Sequence, residues 1–394
     1  MDFILKFTII FLLFSSSLFA ESLVLYLSNR DYSIMNLYHL QAMSKGYLTE
    51  EEKQKVRIEI FKDGKMYSAK ISLDGIGNEH YKGNNLLERS INFNILKNNY
   101  INIGNHNFKN FRLVNPDFGY YSDVIKEFIF LNLHNYFKLP YRKLIPLNVS
   151  FNDGRSKKTL TFLEEKYDND FIQRNFLKEG LILERNIYNN NYMNFLYNCK
   201  KNKINCENYI LDHLNKLHIK PKKNNMPKQE KYAINLLQLY YQNKINFFDV
   251  FEEKETIKLL YMSLLWNQPH HIQEHNIKFY FSPITKRFTI LVSDPFLPIA
   301  IKENQTNPLL LLEQYSKTIK VSWLSSVIND QSTKIQIINK IRNYSKEINI
   351  NDLLEEVFND EIIQNFYKIK KGNFKLIKSR LISNHEKINV LLSD

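Results

Sequence analysis

The chain has 394 residues, 44% of them hydrophobic and 14% aromatic, which is ample for a large core and excludes a disordered polymer. Its formal charge of +13 favours anionic partners, but lysine and asparagine are raised along the whole length and glycine is scarce, so the charge marks no single site. No stretch after the first twenty residues approaches the apolar length of a spanning helix, so a soluble mature chain without a transmembrane segment is expected.

Residues 1–20 read as a signal peptide. Lys6 precedes the apolar run Phe7 to Phe14, which is too short to span a bilayer, and Ser15, Ser16, Ser17 and Ala20 follow it. A cut after Ala20 is expected, with one near Ser17 as the alternative and an uncleaved anchor as the competing reading. No cysteine follows the run, so a lipid anchor is not expected. The chain is thus expected to be exported, to the periplasm, the cell surface or the medium. There Cys199 and Cys206 would close a small disulfide loop, contributing about 2.5 kcal/mol if unstrained.

From Val24 to about Phe111 the pattern is that of strands, with one helical interruption at Ile34 to Met43 that stops at Gly46. Val56, Ile58 and Ile60 alternate with charged residues, as do Ala69, Ile71 and Leu73, and Asp63-Gly64 between the two runs is a hairpin turn. Ile91, Phe93 and Ile95 repeat the alternation. After Asn115-Pro116 the period changes: Val124, Phe128 and Leu131 build a broad apolar helical face that ends before Pro140. Two strands follow, Ile145 to Phe151 and Thr159 to Leu163, joined at Asn152-Asp153-Gly154. Residues 187–230 are rich in Asn, Tyr and Lys and read as an insertion. Tyr232 to Gln242 and Glu255 to Trp266 read as helices, Ile277 to Phe281 and Phe288 to Val292 as a hairpin, and the last sixty residues as helical.

Several blocks carry a resemblance. Tyr67-Ser-Ala-Lys-Ile-Ser-Leu-Asp-Gly75, Ser90-Ile-Asn-Phe-Asn-Ile95 and Phe108-Lys-Asn-Phe-Arg-Leu-Val-Asn-Pro116 are similar to successive strand blocks of the spore-coat protein H (CotH) kinase family. So are Asn148 to Gly154 and Thr159 to Asp168. His270-His-Ile-Gln-Glu-His-Asn-Ile-Lys-Phe-Tyr-Phe-Ser-Pro-Ile-Thr285, with Asp294 after it, resembles the family's catalytic loop, Tyr-rich strand and metal aspartate. The likeness spans roughly residues 25 to 300 and is that of a divergent member.

What the resemblance implies is an α+β, protein-kinase-like two-lobed fold: a sheet-rich N-terminal lobe over 21–185, the insertion at 186–230 and a helical C-terminal lobe over 231–394. It implies transfer of phosphate from ATP to a protein or envelope acceptor, with magnesium held by Asn276 and Asp294 and the acceptor served by His270 or His271. Glu127 would partner a phosphate-binding lysine, and Glu164 or Glu165 would orient the bound nucleotide. Glu127 also reads as a solvated helix position, and Glu164 and Glu165 as structural ion pairs. The chain departs from the family where its third strand carries a basic residue, having Asn92 and Asn94 there, with Arg89 or Lys97 nearby. This departure favours a catalytically inactive scaffold or binding protein of the envelope as the alternative. Zinc at His270, His271, Glu274 and His275 is a further reading, although the HExxH order is absent. A basic envelope adhesin or nucleic-acid binder rests only on charge and the mixing of Tyr with Lys.

Overall fold

The computed structural model describes residues 21–46, 48, 52–74, 86–97, 99–114, 124–155, 159–185, 219–221, 227–273, 276–293, 295–302, 322–324, 330–359 and 371–392. The expected signal sequence, both cysteines, Glu274, His275 and Asp294 lie outside these residues, as does most of the expected insertion. The chain divides into two compact units, one of residues 1–124 and 142–171, the other of residues 125–141 and 172–394.

The first unit begins with β1 (Glu21–Tyr26) and α1 (Asn29–Lys45). The helix starts well before the apolar spacing does, because Ser28 caps it by accepting from the Asp31 amide at 3.1 Å, and it stops at left-handed Gly46. β2 (Val56–Lys62) and β3 (Lys65–Leu73) join at Asp63-Gly64, where both residues have positive φ, 49° and 76°. That is the tight turn whose twist matches two antiparallel strands. β4 (Ile91–Ile95), a small hairpin of β5 (Ile101–Ile103) and β6 (His106–Phe108), and β7 (Asn110–Val114) follow. After α2 (Val124–Tyr136) come β8 (Leu144–Phe151), β9 (Thr159–Glu165) and α3 (Asn169–Arg174).

Seven of these strands close on themselves in the order β1-β2-β3-β4-β7-β9-β8. All neighbours are antiparallel except the closing pair, in which β1 runs parallel to β8 from Glu21 opposite Leu147 to Leu25 opposite Phe151. Alternation fills the interior with Leu23, Leu25, Ile58, Ile60, Ile71, Phe93, Phe111, Leu147, Val149 and Leu163. Phe93 and Phe111 stack there with ring centroids 4.9 Å apart. Fully burying each such side chain contributes about 1.5–3 kcal/mol.

The second unit carries β10 (Leu181–Arg185), β11 (Ile219–Pro221), α4 (Pro227–Tyr241), α5 (Phe247–Val250), α6 (Glu253–Trp266), β12 (Ile277–Phe281) and β13 (Phe288–Val292). The four strands form an antiparallel sheet in the order β11-β10-β12-β13. Gly180 leads into β10 because a side chain there would stand 2.4 Å from the Phe281 carbonyl oxygen. α7 (Gln331–Glu347), α8 (Ile350–Phe358) and α9 (Lys371–Leu391) complete the chain. Residues Leu259 to Trp266 of α6 are buried on every side, the mark of a helix at the centre of a core.

The expected two-lobed kinase-like fold is therefore corrected. Its sheet-rich lobe is a closed mixed barrel, and its helical lobe contains a four-stranded sheet. Period-two alternation reports that each strand has one buried face; it carries no signal for which distant edges meet.

Candidate functional site

The outer face of the barrel carries a row of polar side chains. Ser72 pairs with Asn92, Asn92 with Arg112 and Arg112 with Glu164, so all four project from the same side of neighbouring strands. Arg112 joins the two ends of a network: its Nη1 lies 2.9 Å from Asp74 Oδ2, and its Nε and Nη2 reach Glu164 Oε2. Arg142 holds the other Glu164 oxygen and lays its guanidinium 5.0 Å from the centre of the Tyr167 ring. The Asn92 side-chain amide donates to Asp74. Burial opposes ionisation of Asp74, but the charges of Arg112, Lys166 and Lys53 overcome it and hold the carboxyl well below its ordinary value. The Glu164 side chain is 2% exposed with both oxygens committed, and Glu165 accepts from the Lys143 backbone amide at 2.9 Å. Glu164 thus forms structural ion pairs with arginines instead of lysines, and Glu165 is tied to the backbone of Lys143.

In the second unit the His270-His271 pair sits in a single 3-10 turn, Pro269–Ile272. Adjacent residues in such a turn point about 120° apart, so the two imidazoles have different fates. His271 is 0% exposed. Its Nε2 lies 2.9 Å from Ser263 Oγ, which itself donates to the Leu259 carbonyl, and its ring meets Phe130 edge-on at 4.7 Å. Burial first, then the neighbouring His134 and His270, push its pKa well below 6.5. His270 instead stacks on Phe296 at 3.6 Å, and Lys126 Nζ lies 5.5 Å from the centre of that same ring.

The turn is tied down by its own polar groups. Asn276 donates from Nδ2 to the His270 carbonyl at 2.8 Å and from its backbone to Gln273, and its own carbonyl accepts from Ser293 Oγ. Trp323 Nε1 donates to the Ile272 carbonyl at 2.9 Å. Of the expected site residues, His270, His271, Asn276 and Glu127 belong to this unit, and Glu164 and Glu165 to the barrel. Glu127 is buried on α2 and is not on a solvated face. Asn92 and Asn94, in place of a strand cation, bond to Asp74 and Asn110. Asp74, Arg112 and Arg142, which organise the barrel face, went unmarked in the sequence; an arginine between Phe111 and Leu113 on a strand was the available signal.

The expected ATP and magnesium site lies only partly within the described residues, since Asp294 is outside them. His271 is sealed, the Asn276 amide nitrogen is committed to the His270 carbonyl, and both Glu164 oxygens are taken by arginines. No three His, Cys, Asp or Glu side chains among the described residues stand close enough to hold a metal.

His271 offers a direct check. Between pH 8 and 5.5 its ring resonances should stay at the positions of neutral imidazole by NMR. Because its folded pKa is depressed, the unfolded chain takes up the proton first. The stability His271 contributes is therefore complete above about pH 6.5 and falls as the solution is acidified below it. A His271 ring that titrates near 6.5 would mean the turn is open to water.

The class that these features define is a closed mixed β-barrel with a buried arginine–carboxylate face, joined in one chain to an α+β unit built around a buried central helix. The chain matches no protein-family model, and no curated protein matches it.

Proposed function

We propose that the protein is an exported binding protein of the cell envelope that performs no phosphoryl transfer. The observation that carries this reading is the turn Pro269–Asn276, where the groups a transferase would present to its substrates hold the turn together. A base must reach the proton it removes, and an imidazole without solvent exposure reaches none. Export rests on the layout of residues 1–20. Their removal would leave every described strand whole, since β1 starts at Glu21. Among the described residues no helix is long and apolar enough to cross a membrane.

Transfer of phosphate from ATP to a protein or envelope acceptor is the second reading, and His270 is the observation in its favour. It is the half-buried member of the pair and stacks on the ring that Lys126 also approaches. A thermal-shift comparison with and without magnesium and ATP separates the two. A ligand of the native state raises apparent stability, by about 2.7 kcal/mol at a hundredfold excess over Kd. No rise is expected. A rise that Asp294→Ala removes would overturn the binding reading and restore the transferase.

A further inference from the structure

Apart from its ion-paired face, the barrel unit holds a second buried cation with a different environment. Arg89 lies two residues before β4 and is 3% exposed. Its guanidinium makes one hydrogen bond to a described residue, from Nη1 to Asn36 Oδ1 on α1 at 2.9 Å. Its Nε is buried with no partner among the described residues, and none of their carboxylates stands within ion-pair distance. Arg112 and Arg142, only slightly more exposed, each grip a carboxylate. A guanidinium does not shed its charge at any physiological pH, so burying one without a counter-ion is costly unless something anionic joins it. Burial pushes Arg89 down to about 10, and Tyr32 and Glu88 offset this only in part.

The same place holds a second group in want of a partner. His39, on α1 one turn from Asn36, is half-buried, and its Nδ1 has no partner among the described residues. Burial, and then the charge of Arg89, lower its pKa to about 4. The imidazole is therefore neutral beside a cation that lacks a counter-charge.

We propose that Arg89, with His39 and Asn36, forms a binding site for one small oxyanion, a carboxylate or a phosphate group. Once the packing over Nε opens to admit the anion, this guanidinium edge donates to it in the planar geometry that arginine uses for such groups. Asn36 fixes the orientation of that edge through Nη1. With the anion in place His39 gains a negative neighbour, which strengthens its hold on a proton, and it donates from Nδ1. This site goes beyond the binding reading above and holds whether the chain binds or transfers.

The full-length protein is titrated with inorganic phosphate and, separately, with acetate, each against sodium chloride of matched ionic strength. Melting temperature and the His39 ring resonances are read together, with His39→Gln used for assignment. One anion, or both, should raise the melting temperature and lift the His39 pKa from about 4 by about one unit or more. Arg89→Gln should abolish the thermal shift. Which of the two salts acts identifies the class of oxyanion. The proposal fails if neither salt moves the melting point and the His39 pKa beyond chloride, or if Arg89→Gln responds as the parent does. Should Arg89→Gln not fold, the His39 titration of the unaltered protein decides alone.

Discussion

Glu164→Ala is expected to destabilise the barrel by about 3 kcal/mol, the low end of what removing one member of a buried ion pair costs. Both arginines lose a partner, yet neither is stranded: Arg112 keeps Asp74 and Arg142 keeps the Tyr167 ring. Glu164→Gln retains the shape and one acceptor oxygen, so its loss should be smaller. Amide hydrogen exchange in β7 and β9 is the suitable readout, because both tryptophans, Trp266 and Trp323, belong to the other unit and would not report the barrel. A loss below about 1 kcal/mol would place the network in the class of solvated surface pairs. Acid should act on the same face. The unfolded chain binds a proton near the ordinary aspartate value of 3.8, whereas folded Asp74 refuses it to a much lower pH. Its contribution is thus complete above about pH 4 and drains away as the pH falls below that.

Asn384→Ala should be at least as damaging in the second unit. This fully buried amide on α9 accepts from the Ile301 amide at 2.8 Å and donates to the Leu265 and Ile299 carbonyls at 2.9 Å each. It is the polar link between α9, the end of α6 and the segment 299–301. Alanine would take this partner from three backbone groups, two of them in buried contacts, at about 1–3 kcal/mol for each buried one before water enters. A total loss of about 3 kcal/mol or more is expected in urea unfolding followed by tryptophan fluorescence, since Trp266 adjoins Leu265 in the chain. Asn384→Asp keeps the acceptor but sets a buried carboxylate against the two carbonyl oxygens, and should be at least as damaging as alanine at neutral pH.

The elements that could be read from the chain are those whose cause is local. Asp63-Gly64 announces its turn because both residues tolerate positive φ, and the hairpin at 277–281 and 288–292 was legible from its two apolar runs around Pro283. Barrel closure was not legible: β1 and β8 are more than a hundred residues apart, and a parallel pairing leaves no turn to mark it. The charged face was hidden for the same reason. Asp74, Arg112, Arg142 and Glu164 meet only because the registers of neighbouring strands align, while each alone looks like an ordinary polar residue on a strand or just beyond its end. The histidine doublet is plain in the sequence, but its division into one core imidazole and one stacked on Phe296 follows from the pitch of a 3-10 turn, which spacing does not reveal. Glu127 failed in the opposite direction. A glutamate in a helix is more often solvated, and tertiary packing overrode that expectation.

The strand that seals the barrel also sets an order of events. A ribosome delivers Glu21–Tyr26 first, and β2 can zip onto one of its edges about thirty residues later. The opposite edge must wait until residues 144–151 have emerged. Throughout that interval the nascent chain presents a row of unsatisfied amides and carbonyls, the template on which chains stick to one another. Completion of this protein is therefore a late, long-range step, and the growing polypeptide has most need of a chaperone before that step occurs.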